Sequence, residues 1–225
     1  MISAVKKILP TPVKKQIRSA IKWGKYNYRK QAIKTPIANN EVIKVIVGAA
    51  ETKQNGWYST NEQWLDITKE ADWQGVFQGK PLLSHVVAEH VFEHLTKEQC
   101  AEAFRLIFAH LIDEGRVRIA VPDGYNQDPV YLKHVGIKGI GDDAADHKQL
   151  LNADTLMAFM EKAGFETQHI EGYTKDGELV QAPYKTEDGF IMRSRAKGAV
   201  QDNSPWAFPD SNTSLIVDGV KRERR

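Results

Sequence analysis

Residues 82–95 read LLSHVVAEHVFEHL, and the fold turns on where this stretch changes character. LLSHVVA (82–88) is a continuous apolar run with the length and composition of a buried parallel strand. After it, His90, Glu93 and His94 make H-x-x-E-H, the spacing that in zinc hydrolases supplies two metal ligands and a general base. That chemistry needs the motif within one helix, so that both imidazoles face one ion. Here the strand signal runs to Ala88 and the next strong capping signal is Thr96, which puts residues 90–95 on a strand-to-helix crossing. No other histidine-rich cluster supplies a third ligand along the chain. The reading is a ligand cleft at a strand end with no metal. A zinc hydrolase using His90, Glu93 and His94 is the lesser alternative.

Outward from this stretch, strand and helix signals alternate. EVIKVIV (41–47) ends at Gly48, GWYST (56–60) gives a second short strand and WLDI (64–67) a third. Residues 96–114 predict a helix: Thr96 and Gln99 suit a capping box, Cys100, Phe104, Ile107, Phe108 and Leu111 form one stripe, and Gly115 is the stop. RVRIAV (116–121) and the PDG turn (122–124) follow, then a long polar loop, a helix over 154–163 stopped by Gly164, and strands at 165–170 and 214–220. Such alternation predicts a largely parallel sheet with helices on both faces.

The 225 residues, 41% of them hydrophobic, suffice for one substantial core. The lone cysteine, Cys100, excludes an internal disulfide and a Cys-rich metal cluster, which fits a reducing compartment. No uncharged apolar run approaches the roughly 18 residues that span a bilayer, and the expectation is a cytoplasmic protein. Ten of the 31 basic residues and none of the 29 acidic ones fall in residues 1–40. Residues 41–225 therefore hold 21 basic against 29 acidic residues, and a basic arm of +10 (1–40) is joined to a body of −8 (41–225).

In a sheet of this kind ligands bind at the carboxyl ends of the strands, near the point where strand order reverses. The ends here are Gly48, Ala49 and Ala50; Thr60 and Asn61; Asp66; Glu89 and His90; and Asp123. Five strand ends converge on small or polar residues, the layout of a cofactor cleft.

Taken in order, VIVGAAETKQNGW (45–57), LDI (65–67), AEHVFEHL (88–95), GRVRIAVPDGY (115–125), DHK (146–148) and AGF (163–165) resemble the bacterial class I S-adenosylmethionine-dependent methyltransferases of the type-11 group. The closest branch is the one linked to surface polysaccharide synthesis, and the resemblance covers about residues 42–220. It implies an α/β fold with a Rossmann-like sheet, mostly parallel with an antiparallel final strand, and S-adenosyl-L-methionine as cofactor. The implied cofactor-side residues are Gly48, Ala49, Ala50, Asn61, Asp66, Glu89 and His90. Ala50 departs from the commoner G-x-G, Ile46 stands where many relatives carry an acid, and Asn61 stands where they carry the carboxylate that meets the ribose hydroxyls. Glu62, adjacent, is the alternative acid. A catalytically degenerate binding protein of the same fold is the second reading.

Methyl transfer asks a site to align the acceptor, exclude water and take a proton. Asp123, Tyr125 and His147 are the candidates on the acceptor side, and His90 has the ordinary pKa of a general base toward a hydroxyl. Asp123 also fits an ordinary turn residue. The segment 174–213 reads as a hairpin-like insertion, with ELVQAPY and FIMRSR as its arms, and Tyr173, Tyr184, Trp206 and Phe208 suit stacking on a sugar. The resemblance implies a sugar or other envelope precursor as acceptor.

The arm repeats Ile2, Val5, Ile8 and Leu9, then Val13, Ile17 and Ile21, at helical spacing among lysines, with Pro10 and Pro12 marking a break between two short helices. This is the make-up of a helix lying in an anionic membrane surface, and peripheral contact through residues 1–34 at the inner face is the expectation. Against nucleic acid, the body is acidic and lacks basic–aromatic interleaving.

Overall fold

The computed structural model describes residues 11–141, 144–195 and 213–223. Seven strands form one sheet in the order β2-β1-β3-β4-β7-β5-β6: β1 (Ile43–Val47), β2 (Tyr58–Ser59), β3 (Leu83–Glu89), β4 (Leu111–Pro122), β5 (Glu166–Tyr173), β6 (Leu179–Gln181) and β7 (Ser214–Val220). β2, β1, β3 and β4 pair in parallel, whereas β7 runs antiparallel between β4 and β5 and β6 runs antiparallel beside β5. This is the expected Rossmann-like sheet with an antiparallel final strand, plus a short antiparallel edge strand. Strand order reverses between β1 and β3, so the cleft of the fold opens above that pair.

The helices are α1 (Thr11–Ala32), α2 (Lys34–Ala38), α3 (Glu70–Phe77), α4 (Lys97–His110), α5 (Pro129–Val135) and α6 (Ala153–Ala163). Alternate strand residues Val45, Val86, Ile119 and Val217 face the large core, where Ile37, Trp73, Phe77, Phe104, Ile107, Leu156 and Met160 of the helices and Ile33 between α1 and α2 meet them. The opposite face carries Ile46, Val87, Ala120 and Ile216, and there the cover is not helical among the described residues. Ile191, Ala182 and Tyr184 lie on it with Trp57. Polar anchors hold this strap. Glu89 accepts from the amides of Met192 and Arg193, Glu171 from Ser194 Oγ and the Arg195 amide, and Gln54 bonds Phe190 through both main-chain groups.

Several local expectations change. WLDI is not a strand: the amides of Trp64 and Leu65 both donate to the Asn61 carbonyl, and Trp64, Leu65 and Ile67 turn into the core. β2 is two residues long and stands at the edge of the sheet, paired with β1 alone. The helix capped by Thr96 and Gln99 stops at His110, not at Gly115, because Leu111 is already extended and buried in β4. The arms of the supposed 174–213 hairpin do not pair with each other; β6 pairs with β5, and residues 190–195 form no strand. Pro12 lies in the first turn of one continuous helix, α1, so no break follows it. Ile2, Val5, Ile8, Leu9, Pro10, Trp206 and Phe208 fall outside the described residues.

Candidate active site

A cavity of about 430 Å³ opens at the β1/β3 switch point, within the size range of small-ligand sites. Its walls come from four chain turns and one helix: Gly48 after β1; Glu62, Leu65, Asp66, Ile67 and Thr68 after β2; His90, Val91, His94 and Leu95 after β3; Asp146 with Lys148 from the polar loop; and Gln99 of α4. Leu65, Ile67, Val91 and Leu95 offer an apolar slot, while the acids and histidines provide convergent polar groups. Gly48 has φ +58°, and a Cβ there would lie 2.5 Å from Val91 Cγ2. Only a residue without a side chain keeps this wall in place.

Of the cofactor-side residues read from sequence, Gly48, Asp66 and His90 line the cavity, whereas Ala49, Ala50, Asn61 and Glu89 are not among its lining residues. Asn61 is buried and its Oδ1 accepts from Arg29 Nη1 at 3.1 Å; the same guanidinium nitrogen donates to the Ala50 carbonyl at 2.6 Å. Glu62, not Asn61, presents an acid to the cavity. Asp66 Oδ1 accepts from the amide and hydroxyl of Thr68, and Oδ2 lies 2.9 Å from Lys69 Nζ. Partial burial raises its carboxyl, but the Lys69 and Thr68 bonds outweigh that and hold it below the usual range. Glu89 is an anchor of the strap.

The acceptor-side candidates separate. His90 has the left-handed φ of +54°, which aims its ring across the strand end, with Nδ1 3.2 Å from Glu93 Oε1 and Nε2 3.0 Å from Ser214 Oγ. Ser214 is fully buried, so this row orients the His90 ring and gives the serine no access to a substrate. Asp123 is also fully buried: Oδ1 accepts from the Tyr125 amide and Oδ2 from the Tyr173 amide, tying β4 to β5. Burial pushes its carboxyl up. His147 is packed edge-on against His94, with ring centroids 4.8 Å apart. Burial pushes the Glu93 carboxyl between them up to about 7.

No protein-family model matches the chain, and no curated protein does. Among solved structures it is similar to an S-adenosylmethionine-dependent methyltransferase of Archaeoglobus fulgidus (15% identity, 85% of this chain and 94% of that one, TM-score 0.45). It is also similar to one of Thermotoga maritima (13%, 91% and 97%, 0.44) and one of Methanosarcina mazei (10%, 78% and 72%, 0.40). At these identities the likeness concerns architecture and assigns no activity to this chain.

Three features escaped the sequence reading. Arg29 sits in a lysine-rich arm and nothing local separates it from its neighbours, yet it is buried against the loop after β1. Helix α5 was hidden in the polar loop, although Asp128 as cap and Pro129 at the first helical position are a start signal. The return of residues 146–148 to the strand ends is a purely tertiary event.

Proposed function

We propose that this chain is an S-adenosyl-L-methionine-dependent methyltransferase acting on a hydroxyl of a sugar or other cell-envelope precursor, in the polysaccharide-linked branch of the type-11 group. The observation that carries the reading is the cavity at the β1/β3 switch point, in the sheet that the ordered sequence motifs imply. Its residues fit the cofactor: Leu65, Ile67, Val91 and Leu95 suit a purine, Glu62 and Asp66 suit the ribose hydroxyls and the adenine amino group, and Lys148 suits a carboxylate. The bound cofactor supplies an electrophilic methyl group. The chain's part is to hold the two reactants in line and to keep water from them.

Calorimetry of the intact chain with S-adenosylhomocysteine tests this, with saturable one-to-one heat expected. Absence of heat or thermal shift at millimolar ligand would overturn it. A specific observation favours the second reading, a catalytically degenerate binding protein: Arg29 already occupies the amide oxygen of Asn61 and the carbonyl of Ala50. Methyl transfer from labelled cofactor to envelope glycan precursors separates the two, since the binding protein would show heat and no transfer.

The arm supports peripheral membrane contact as part of the same proposal. Ile17, Ile21 and Tyr28 lie along one side of α1 and are exposed, as is Trp23, while Tyr26 and Arg29 are buried. No helix among the described residues is long and apolar enough to cross a membrane. Each basic residue near an anionic leaflet contributes on the order of 1 kcal/mol, so vesicles containing anionic lipid should sediment the chain at low salt and release it at high salt. Salt-insensitive binding, or none, would refute this.

A further inference from the structure

Of the H-x-x-E-H motif, the fold joins Glu93 and His94, not His90, to a third residue able to ligate a metal. Glu93 and His94 lie in the single 3-10 turn Phe92–His94 after β3. The polar loop returns His147 beside them, and one ligand atom from each of Glu93, His94 and His147 lies within 4.8 Å of the others. The approach is fixed by main chain. The amides of Lys148 and Gln149 both donate to the Glu93 carbonyl, at 2.8 and 3.2 Å.

One of the three is held from behind by a hydrogen bond. His147 Nδ1 bonds the Val135 carbonyl at 2.7 Å, which puts the ring proton on Nδ1 and leaves the Nε2 lone pair for a ligand. His94 Nδ1 lies 2.9 Å from Asp146 Oδ1, close enough for an ion pair but without hydrogen-bond geometry. An imidazole anchored through its second nitrogen by a carbonyl or carboxylate is the usual outer support of a metal-bound histidine. The Glu93 carboxylate is 1% exposed and accepts no hydrogen bond from the described residues, although its Oε1 lies 3.2 Å from His90 Nδ1. A buried carboxylate beside two imidazoles is an arrangement that a cation neutralises.

We propose that Glu93, His94 and His147 form a binding site for a divalent transition-metal ion of the zinc class. Two histidines and one carboxylate are a ligand set that zinc takes with its remaining position open. His94 and its neighbour Asp146 also line the cavity. Ligands about 2.1 Å from a tetrahedral ion stand about 3.5 Å apart, so the set must draw in by about 1 Å. The partly exposed His94 ring is the element able to make that movement. The site stands apart from the methyl-transfer reading, since neither needs the other.

The test uses the intact chain, stripped with chelator and dialysed. Native mass spectrometry with added zinc should show one ion per chain, and cobalt(II) should give the visible absorption of a four- or five-coordinate ion. His147→Gln and Glu93→Gln should each weaken binding by on the order of 100-fold, whereas His169→Gln on β5 should leave it unchanged. Near-UV circular dichroism on the same samples shows that the variants fold. No stoichiometric zinc and no cobalt band in the folded parent would overturn the proposal and leave Glu93 as a partner of His90 alone. Binding that survives both substitutions would overturn it as well. S-adenosylhomocysteine calorimetry in parallel keeps failure here distinct from failure of the cofactor site.

Discussion

Replacing Gly48 by alanine should destabilise the protein by two separable routes. The first is backbone: at φ +58° an L-residue costs about 1–2 kcal/mol relative to glycine. The second is steric: the added Cβ would lie 2.5 Å from Val91 Cγ2 and 3.4 Å from Cγ1, and relieving such an overlap in packed surroundings costs about 1–3 kcal/mol. The whole effect is about 2–5 kcal/mol. Val91→Ala deletes both offending methyl groups and leaves only its Cβ at 3.6 Å, an ordinary contact. Gly48→Ala in that background should therefore retain only the backbone cost of about 1–2 kcal/mol. Urea unfolding followed by tryptophan fluorescence of the four variants gives the coupling directly. Because Val91 forms part of the cavity wall, Gly48→Ala alone should also abolish S-adenosylhomocysteine heat, and Val91→Ala should restore part of it. An equal cost of Gly48→Ala in both backgrounds would refute the steric argument.

Arg118 is 2% exposed in β4, paired through two nitrogens with both oxygens of Asp218 on β7, and its guanidinium lies 4.2 Å from the Tyr184 ring. Arg118→Ala should cost about 3–5 kcal/mol by leaving the Asp218 charge buried, and hydrogen exchange should show residues 182–191 loosened. The Arg118→Met/Asp218→Leu double variant should be much less damaged, and equal damage would mean that the pair is not the cause. His110 is buried between Trp73 and Phe77, and burial holds its pKa below the ordinary histidine value. The folded state therefore refuses a proton that the unfolded chain accepts, so His110 costs no stability at neutral pH and removes it as pH falls below about 6.5. His110→Phe should flatten the fall in urea midpoint between neutral and mildly acid pH; an unchanged slope would assign it to other groups.

How much was legible can be judged residue by residue. The apolar runs at β1, β3, β4 and β7 and the caps at Thr96 and Gly164 speak in their own neighbourhoods, because periodicity and capping depend on residues a few positions apart. Fold class, the β-α alternation and the location of the cleft followed from them. WLDI failed because a strand needs a partner edge, and the carbonyl that captures its amides belongs to Asn61. The second face of the sheet was likewise beyond local pattern, since what covers Val87 and Ala120 is a strap held by carboxylates of β3 and β5. The site divides along the same line. Gly48 and His90 reach the cavity because they directly follow β1 and β3, whereas Asp66 arrives on the turn that the Asn61 carbonyl closes. The capture of Asn61 by Arg29 across 32 positions, and the arrival of His147 beside Glu93 and His94, depend on how α1 and the polar loop return to the sheet. Sequence determined which chemistry stands at each strand end, and the tertiary structure decided which of those groups meet, because contact between distant residues is fixed only when the whole core closes.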